Sequence, residues 1–154
     1  MSASTGAIVW RFLSFDDLGK LELYGVLQLR SEVFVVEQSC VFQDMDGFDS
    51  QAMHLLGTAN GQLSAYARCF AAGEKFAEVS IGRVITRSTL RGTGAGHALM
   101  RESIQQMTCL WGAQAIRISA QAQLEKFYCQ HGFRAVGVPY VEDGIPHIEM
   151  LRPT

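Results

Sequence analysis

Lysine is scarce, and no basic stripe runs anywhere in the 154 residues, where 13 Lys and Arg are outweighed by 15 Asp and Glu for a net charge of −2. A chain without concentrated positive charge releases few phosphate counterions, so nucleic acid is not the expected partner. No apolar run approaches the roughly 20 residues that span a bilayer. The opening MSASTGAIVW has no basic stretch ahead of an apolar one, so no secretory leader is expected and the protein reads as cytoplasmic, with no membrane partner. Cysteine is limited to Cys40, Cys69, Cys109 and Cys129, with no CxxC pair. Together with His54, His97, His131 and His147 these give no zinc spacing. They read as core or incidental thiols in a reducing compartment, and no metal is expected. Only three prolines occur, and no repeat, low-complexity tract or linker divides the chain. Residues 1–154 therefore form one domain. With 48% hydrophobic residues, nine Phe and 18% charged residues, that domain can bury a sizeable core.

Periodicity supplies the elements. Ala7–Phe12 reads as an opening strand, and Asp16-Asp17 as the N-cap of a helix through Leu18, Leu21 and Leu27 toward Phe34. Gln43–Gln51 is polar and acidic and reads as a loop. His54–Ala59 and Leu63–Phe70 flank Asn60-Gly61, a strong signal for a two-residue hairpin. Phe76–Ile85 is a further strand. A helix follows with Leu99, Met100, Ser103, Met107, Leu110 and Trp111 as its inward stripe. Ala115–Ser119 reads as a strand and Gln121–Gln130 as a helix with Leu124, Phe127 and Tyr128 on one side. Gly132 stands where a left-handed cap belongs, with Phe133 packing back. Strands Phe133–Val138 and His147–Leu151 complete an α/β order, β-α-β-β-β-α-β-α-β-β, with a mixed central sheet flanked by helices.

The chemistry concentrates between the fourth of these strand segments and the long helix. Arg91-Gly92-Thr93-Gly94-Ala95-Gly96 leaves a strand through three alternate glycines and enters a helix. Backbone N–H groups at a helix N-terminus, with no side chain larger than a methyl at Ala95, suit a phosphate or pyrophosphate, and Arg91 adds charge at the entrance. A Walker loop would need Gly-Lys-Ser/Thr, but Gly96 is followed by His97-Ala98. A dinucleotide fingerprint would need GxGxxG near the first strand, and His97 fills its third slot. Both the kinase and the oxidoreductase readings are therefore disfavoured. Arg91, Gly94 and Gly96 instead meet the pattern [Gln/Arg]-x-x-Gly-x-[Gly/Ala], which resembles motif A of the GNAT superfamily, whose loop wraps the pyrophosphate of coenzyme A. The resemblance implies the single-domain GNAT fold, acetyl-CoA as cosubstrate, and cofactor contacts along Val84, Ile85, Thr86, Arg91, Gly92, Thr93, Gly94, Ala95 and Gly96.

A second GNAT pattern, Asn-x-x-Ala-x-x-x-Tyr-x-x-x-Gly-Phe, is matched at Tyr128, Gly132 and Phe133, with Gln121 and Leu124 in place of Asn and Ala. The resemblance implies that Gln121 keeps an amide for the pantetheine arm and that the Tyr128 hydroxyl lies beside the sulfur. A thiol titrates near 8.5 and a phenol near 10, so full proton transfer from Tyr128 to a thiolate runs uphill. A hydrogen bond that stabilises the departing sulfur is the role expected of it. Ordinary packing beside Phe127 is the alternative.

An ammonium must lose a proton before it attacks a thioester. Glu78 precedes Arg91 by 13 positions, a spacing similar to that of the glutamate base in the histone-acetylating branch. Asp44, Asp46, Asp49 and Glu37 with His54 form an acidic segment able to attract a cation, although Gly47 is misplaced for a calcium loop. His147 on the last strand is a third candidate. The segments Leu29–Gln38, Asp46–Asp49, Ile81–Val84 and Glu142–His147 resemble the ElaA-like branch. The expected activity is transfer of an acetyl group to a primary amine, of a small molecule or a peptide, by direct attack. A non-catalytic coenzyme A sensor is the alternative, and a homodimer is expected by analogy with relatives.

Overall fold

A computed structural model describes residues 7–154. Residues 1–6, part of the opening segment read for a leader, lie outside the described residues. Seven strands form one sheet in the order β1-β2-β3-β4-β5-β7-β6, all neighbours antiparallel except the parallel pair β4–β5. The strands are β1 (Val9–Ser14), β2 (Met53–Ala59), β3 (Gln62–Phe70), β4 (Val79–Thr86), β5 (Ile116–Gln121), β6 (Arg134–Glu142) and β7 (Ile145–Arg152). The helices are α1 (Lys20–Arg30), α2 (Ala95–Trp111) and α3 (Glu125–Cys129). The expected mixed α/β architecture and element order hold.

Local chemistry explains most boundaries. At the β2–β3 turn, Asn60 and Gly61 take φ of 52° and 75°, the two left-handed residues that a tight hairpin of matching twist requires. Helix α1 begins later than Asp16-Asp17 suggests: Gly19 is the cap residue, and the Glu22 side chain reaches back to accept its N–H at 3.1 Å. After Arg30 the chain does not continue as α-helix to Phe34 but widens into a π-helical turn, Ser31–Glu37. Alternation along β2 sends Leu55 to one face and Leu56 to the other. On one face Leu99, Met100 and Met107 of α2 pack with Ile116, Ile118 and Met150. On the other, Val26, Leu29 and Val33 cover Leu56, Tyr66 and Ile85. Ser103 is tolerated inside because its hydroxyl donates to the Leu99 carbonyl at 2.8 Å. Leu110, expected inward, is 52% exposed because the stripe turns away from the sheet at the helix end. Among the described residues no helix is long and apolar enough to cross a membrane.

Two features open the sheet. β4 pairs with β5 only at Val79↔Ile116 and Ser80↔Arg117, so their carboxyl ends diverge. On its other edge β4 carries a bulge, because Tyr66↔Ile85 and Arg68↔Gly82 leave one extra residue on β4. Arg83 sits in that bulge with φ of 50°.

Candidate active site

Between the diverging ends of β4 and β5 lies a cleft of about 800 Å³. Val84, Ile85 and Thr86 form one wall, Arg91, Gly92, Gly94 and Gly96 one end, and Gln121, Phe127 and Tyr128 the opposite wall. Val33, Phe34, Glu37 and Gln38 close it from the π-helical side. Most of the residues picked out around the glycine loop and the later tyrosine therefore line one cavity; Thr93, whose hydroxyl donates to the Leu90 carbonyl, and Ala95, buried with Ala59 and Leu90, do not.

The loop turns through Gly92 and Gly94 with φ of 79° and 87°, values that only glycine takes freely. Gly94 is the N-cap of α2 and brings no side chain to the N–H groups of the first turn, which includes Ala95 and Gly96. A Cβ at Gly92 or Gly94 would meet nothing within 4 Å, so it is the backbone angle, not crowding, that calls for glycine. Uncapped donors, the positive helix end and open space fit a diphosphate. Arg91 is tethered across the mouth, donating to Glu37 at 2.6 Å and to the Thr86 carbonyl at 3.1 Å.

Gln121 does not start a helix as expected. It ends β5, and a 3₁₀ turn, Ala122–Leu124, separates it from α3. Its amide still faces the cleft, donating to Gln38 Oε1 at 3.3 Å and accepting from Gln123 at 3.1 Å. Tyr128 is 7% exposed, wedged edge-on against Phe127 and Phe133, and burial pushes its phenol up to about 12. The ring orientation follows from the helix end: Gly132, at φ of 87°, lets Phe133 fold back so that its N–H reaches the Tyr128 carbonyl at 3.3 Å. Cys129 is exposed and not part of the cleft wall, as adjacent helix positions require.

The base candidates separate. Glu78 precedes the first residue of β4, some six residues or about 20 Å of extended chain from Val84. Its carboxylate takes hydrogen bonds from Arg117 at 2.9 to 3.2 Å, which hold it below its ordinary range. That placement does not fit the proton-accepting role expected of Glu78. The acidic segment is likewise occupied. Asp44 and Asp49 take Arg30 at 2.8 and 2.7 Å, and Asp46 and Asp49 take Arg68 at 2.7 and 2.9 Å. Its carboxylates hold the loop onto the sheet, not a ligand in solvent. His147 is 9% exposed and is the register partner of Gln121, so one strand spacing separates it from the cleft wall.

Sequence reasoning missed Gln38, which meets Gln121 from 83 positions away through a π-turn that periodicity does not signal. It also missed the His97–His131 pair beside the loop, with ring nitrogens 2.8 Å apart. Burial, then His97, lowers the affinity of His131 for a proton.

The sequence matches the family described as "Acetyltransferase (GNAT) domain" over residues 21–152. It is 44% identical over 147 residues to Protein ElaA of Escherichia coli (strain K12), covering 94% of this chain and 96% of that one. The fold matches a crystal structure of an acyl-CoA N-acyltransferase from Pseudomonas aeruginosa with a TM-score of 0.90 at 44% identity, over 95% of this chain and 99% of that one. The crystal structure of Escherichia coli ElaA matches with a TM-score of 0.88 at 43% identity, over 94% and 99% of the two chains.

Proposed function

The chain belongs to the GNAT acetyltransferase family, and from that premise we propose that it moves an acetyl group from acetyl-CoA to a primary amine by direct attack. The observation that carries the reading is the left-handed Gly94 cap, which leaves the first turn of α2 uncapped at one end of a cleft that holds Tyr128. The diphosphate of the cosubstrate would be held by N–H groups of residues 92–96, and its pantetheine arm by backbone groups of Val84 and Thr86 and the Gln121 amide. The cosubstrate supplies an activated acyl group. The protein orients it and stabilises charge as sulfur departs.

Tyr128 serves that last step as a hydrogen-bond donor. A phenol raised to about 12 holds its proton against a thiol near 8.5, so it donates without ionising. Four unpaired cysteines, two of them exposed, suit a reducing compartment, and we place the protein in the cytoplasm on that ground.

The test is thiol release from acetyl-CoA with a panel of amines, alongside calorimetric binding of coenzyme A. Amine-dependent release with saturable cofactor binding is expected. Binding without release for every amine would favour a sensor, and absence of binding would sink both.

A further inference from the structure

On β5, Arg117, Ser119 and Gln121 alternate with the core residues Ile116, Ile118 and Ala120, and so point to the face that carries α1. There α1 and the π-turn cover Leu56, Tyr66 and Ile85, leaving the β5-β7-β6 part of the sheet to polar side chains. Glu149, His147 and Tyr140 fall on it by register, with Glu142 two residues on from Tyr140. At one end Gln121 joins this trough to the cleft.

We infer that the trough is the acceptor site of the transfer proposed above, and that it takes a primary alkyl amine bearing a second cationic group and no carboxylate. His147 accepts the proton of the reacting ammonium and Glu142 holds the cation. The inference rests on the transferase reading.

Charge is the first ground. Glu78 and Glu149 flank a single guanidinium, Arg117, which grips Glu78 and reaches Glu149 at 3.7 Å. Among the described residues Glu142 has no Arg or Lys partner, and His147 Nε2 lies 3.6 Å from it. The Tyr140 hydroxyl is hydrogen-bonded to Ser119, and Ser119 in turn to Glu142 at 3.3 Å. Burial, with Glu142 and Glu149, raises the Tyr140 phenol, so this ring stays neutral and supplies no counter-charge for an anion. A carboxylate-bearing acceptor would meet like charge from Glu142 and Glu149.

The second ground is independent of the acids. His147 is buried and stacks on Tyr140 at 6.0 Å. Its Nδ1 lies 2.7 Å from the Ile145 carbonyl, which can only accept, so Nδ1 carries the proton and Nε2 presents its lone pair. Glu142 is beyond hydrogen-bond contact with it, leaving a ring nitrogen with its lone pair free on an otherwise largely buried side chain.

The step balances. The ammonium gives one proton to His147 Nε2, and the freed amine nitrogen forms a bond to the thioester carbonyl carbon. The carbon–sulfur bond breaks with its electron pair going to sulfur beside the Tyr128 hydroxyl, and the second nitrogen proton passes to that sulfur. Amide, thiol and one proton, later released by His147 to water, are the products.

Thiol release is measured with acetyl-CoA and three acceptors of equal length: 1,6-diaminohexane, hexylamine and 6-aminohexanoate. The parent, Glu142→Gln, Glu149→Gln and His147→Gln are compared, with coenzyme A binding and melting temperature followed for each. The diamine should exceed the amino acid in kcat/KM by about a hundredfold, and Glu142→Gln should shrink that ratio about tenfold while coenzyme A binding holds. His147→Gln should lower kcat for every acceptor. If Glu142→Gln is poorly folded, Glu142→Ala carries the test of the ratio. Preference for 6-aminohexanoate, or an unchanged ratio in the folded Glu142 variant, overturns the inference alone. Cofactor binding with no turnover of any acceptor overturns the transferase reading beneath it.

Discussion

Arg91 and Glu37 form an ion pair at 2.6 Å that joins the glycine loop to the π-turn across the cleft mouth. Both side chains are partly exposed, at 46% and 30%, so the pair itself contributes only about 0.2–1 kcal/mol. A phosphate arriving at the loop competes with Glu37 for the same guanidinium. Glu37→Gln should therefore tighten coenzyme A binding by about two- to fivefold at low salt, and the gain should fade at high salt. Calorimetry at two ionic strengths reads this directly. Weaker binding in the variant would mean that Glu37 positions Arg91 for its ligand and does not compete with it.

Tyr128→Phe removes one hydroxyl and leaves the packing against Phe127 and Phe133 in place. The loss should fall on kcat, by about 10²–10³-fold, with little change in KM for acetyl-CoA. Because burial raises the phenol to about 12, the parent should also show no loss of rate from this group between about pH 8 and 10. Retained turnover in the variant would reduce Tyr128 to a packing residue.

The cofactor side of the site was legible because its residues lie close together in sequence, where glycine and helix periodicity report directly on backbone geometry. Gly132 is read as a left-handed cap from its spacing and takes φ of 87°, the same angle that Gly94 adopts in the loop. The acceptor side was not legible in the same way. Ser119, Tyr140 and Glu142 meet only through strand register, and a polar residue on a strand gives no sign of what lies one strand away. Nor does an acidic run such as Asp44–Asp49 disclose that its partners, Arg30 and Arg68, are buried at 0% and 2% exposure. The spacing of Leu124, Phe127 and Tyr128 extends the helical reading back to Gln121, which instead ends β5. The strand-end position aims the same amide into the same cleft.

His54 is fully buried, with Nε2 2.9 Å from the Asp49 carbonyl and Nδ1 2.6 Å from the Tyr66 hydroxyl. The carbonyl fixes the proton on Nε2, so Tyr66 donates to Nδ1. Protonating Nδ1 would set two donors against each other. Burial, joined by Arg30 and Arg68, lowers the proton affinity of the ring against the pull of Asp49. The unfolded chain thus takes up a proton near pH 6.5 that the folded one refuses, so this contribution is whole above about 6.5 and drains away as pH falls below it. For Asp46 and Asp49, burial is outweighed by Arg68 and Arg30, and both carboxyls are held low. Their contribution is whole above about pH 4 and is lost below it. Melting temperature should therefore decline in two stages on acidification. His54→Gln should flatten the first stage while lowering the starting value, and an unflattened first stage would assign it to another group.

Asp44 connects the buried loop network to the geometry of the cleft. It takes the Arg30 Nε at 2.8 Å on one oxygen and lies 2.9 Å from the Arg83 Nε on the other, a charge contact too poorly aligned to be a hydrogen bond. Its backbone carbonyl accepts a second Arg83 nitrogen at 2.9 Å. Arg83 is the bulge residue at φ of 50°, a conformation that costs a non-glycine side chain about 1 kcal/mol or more, and the guanidinium contacts offset that cost. Asp44→Asn leaves the buried Arg30 with one carboxylate fewer, so unfolding in urea should show a loss of about 3 kcal/mol. Released from Asp44, the bulge should also relax toward regular β pairing and draw Val84 out of the cleft wall. Coenzyme A affinity should then fall even at temperatures where the variant is fully folded. Arg83→Gly separates the two effects, since glycine keeps the left-handed angle without the ion pair and should retain more of the affinity than Arg83→Ala. Equal affinity in the glycine and alanine variants would show that the bulge is held by its neighbours in the sheet and not by the backbone angle at Arg83.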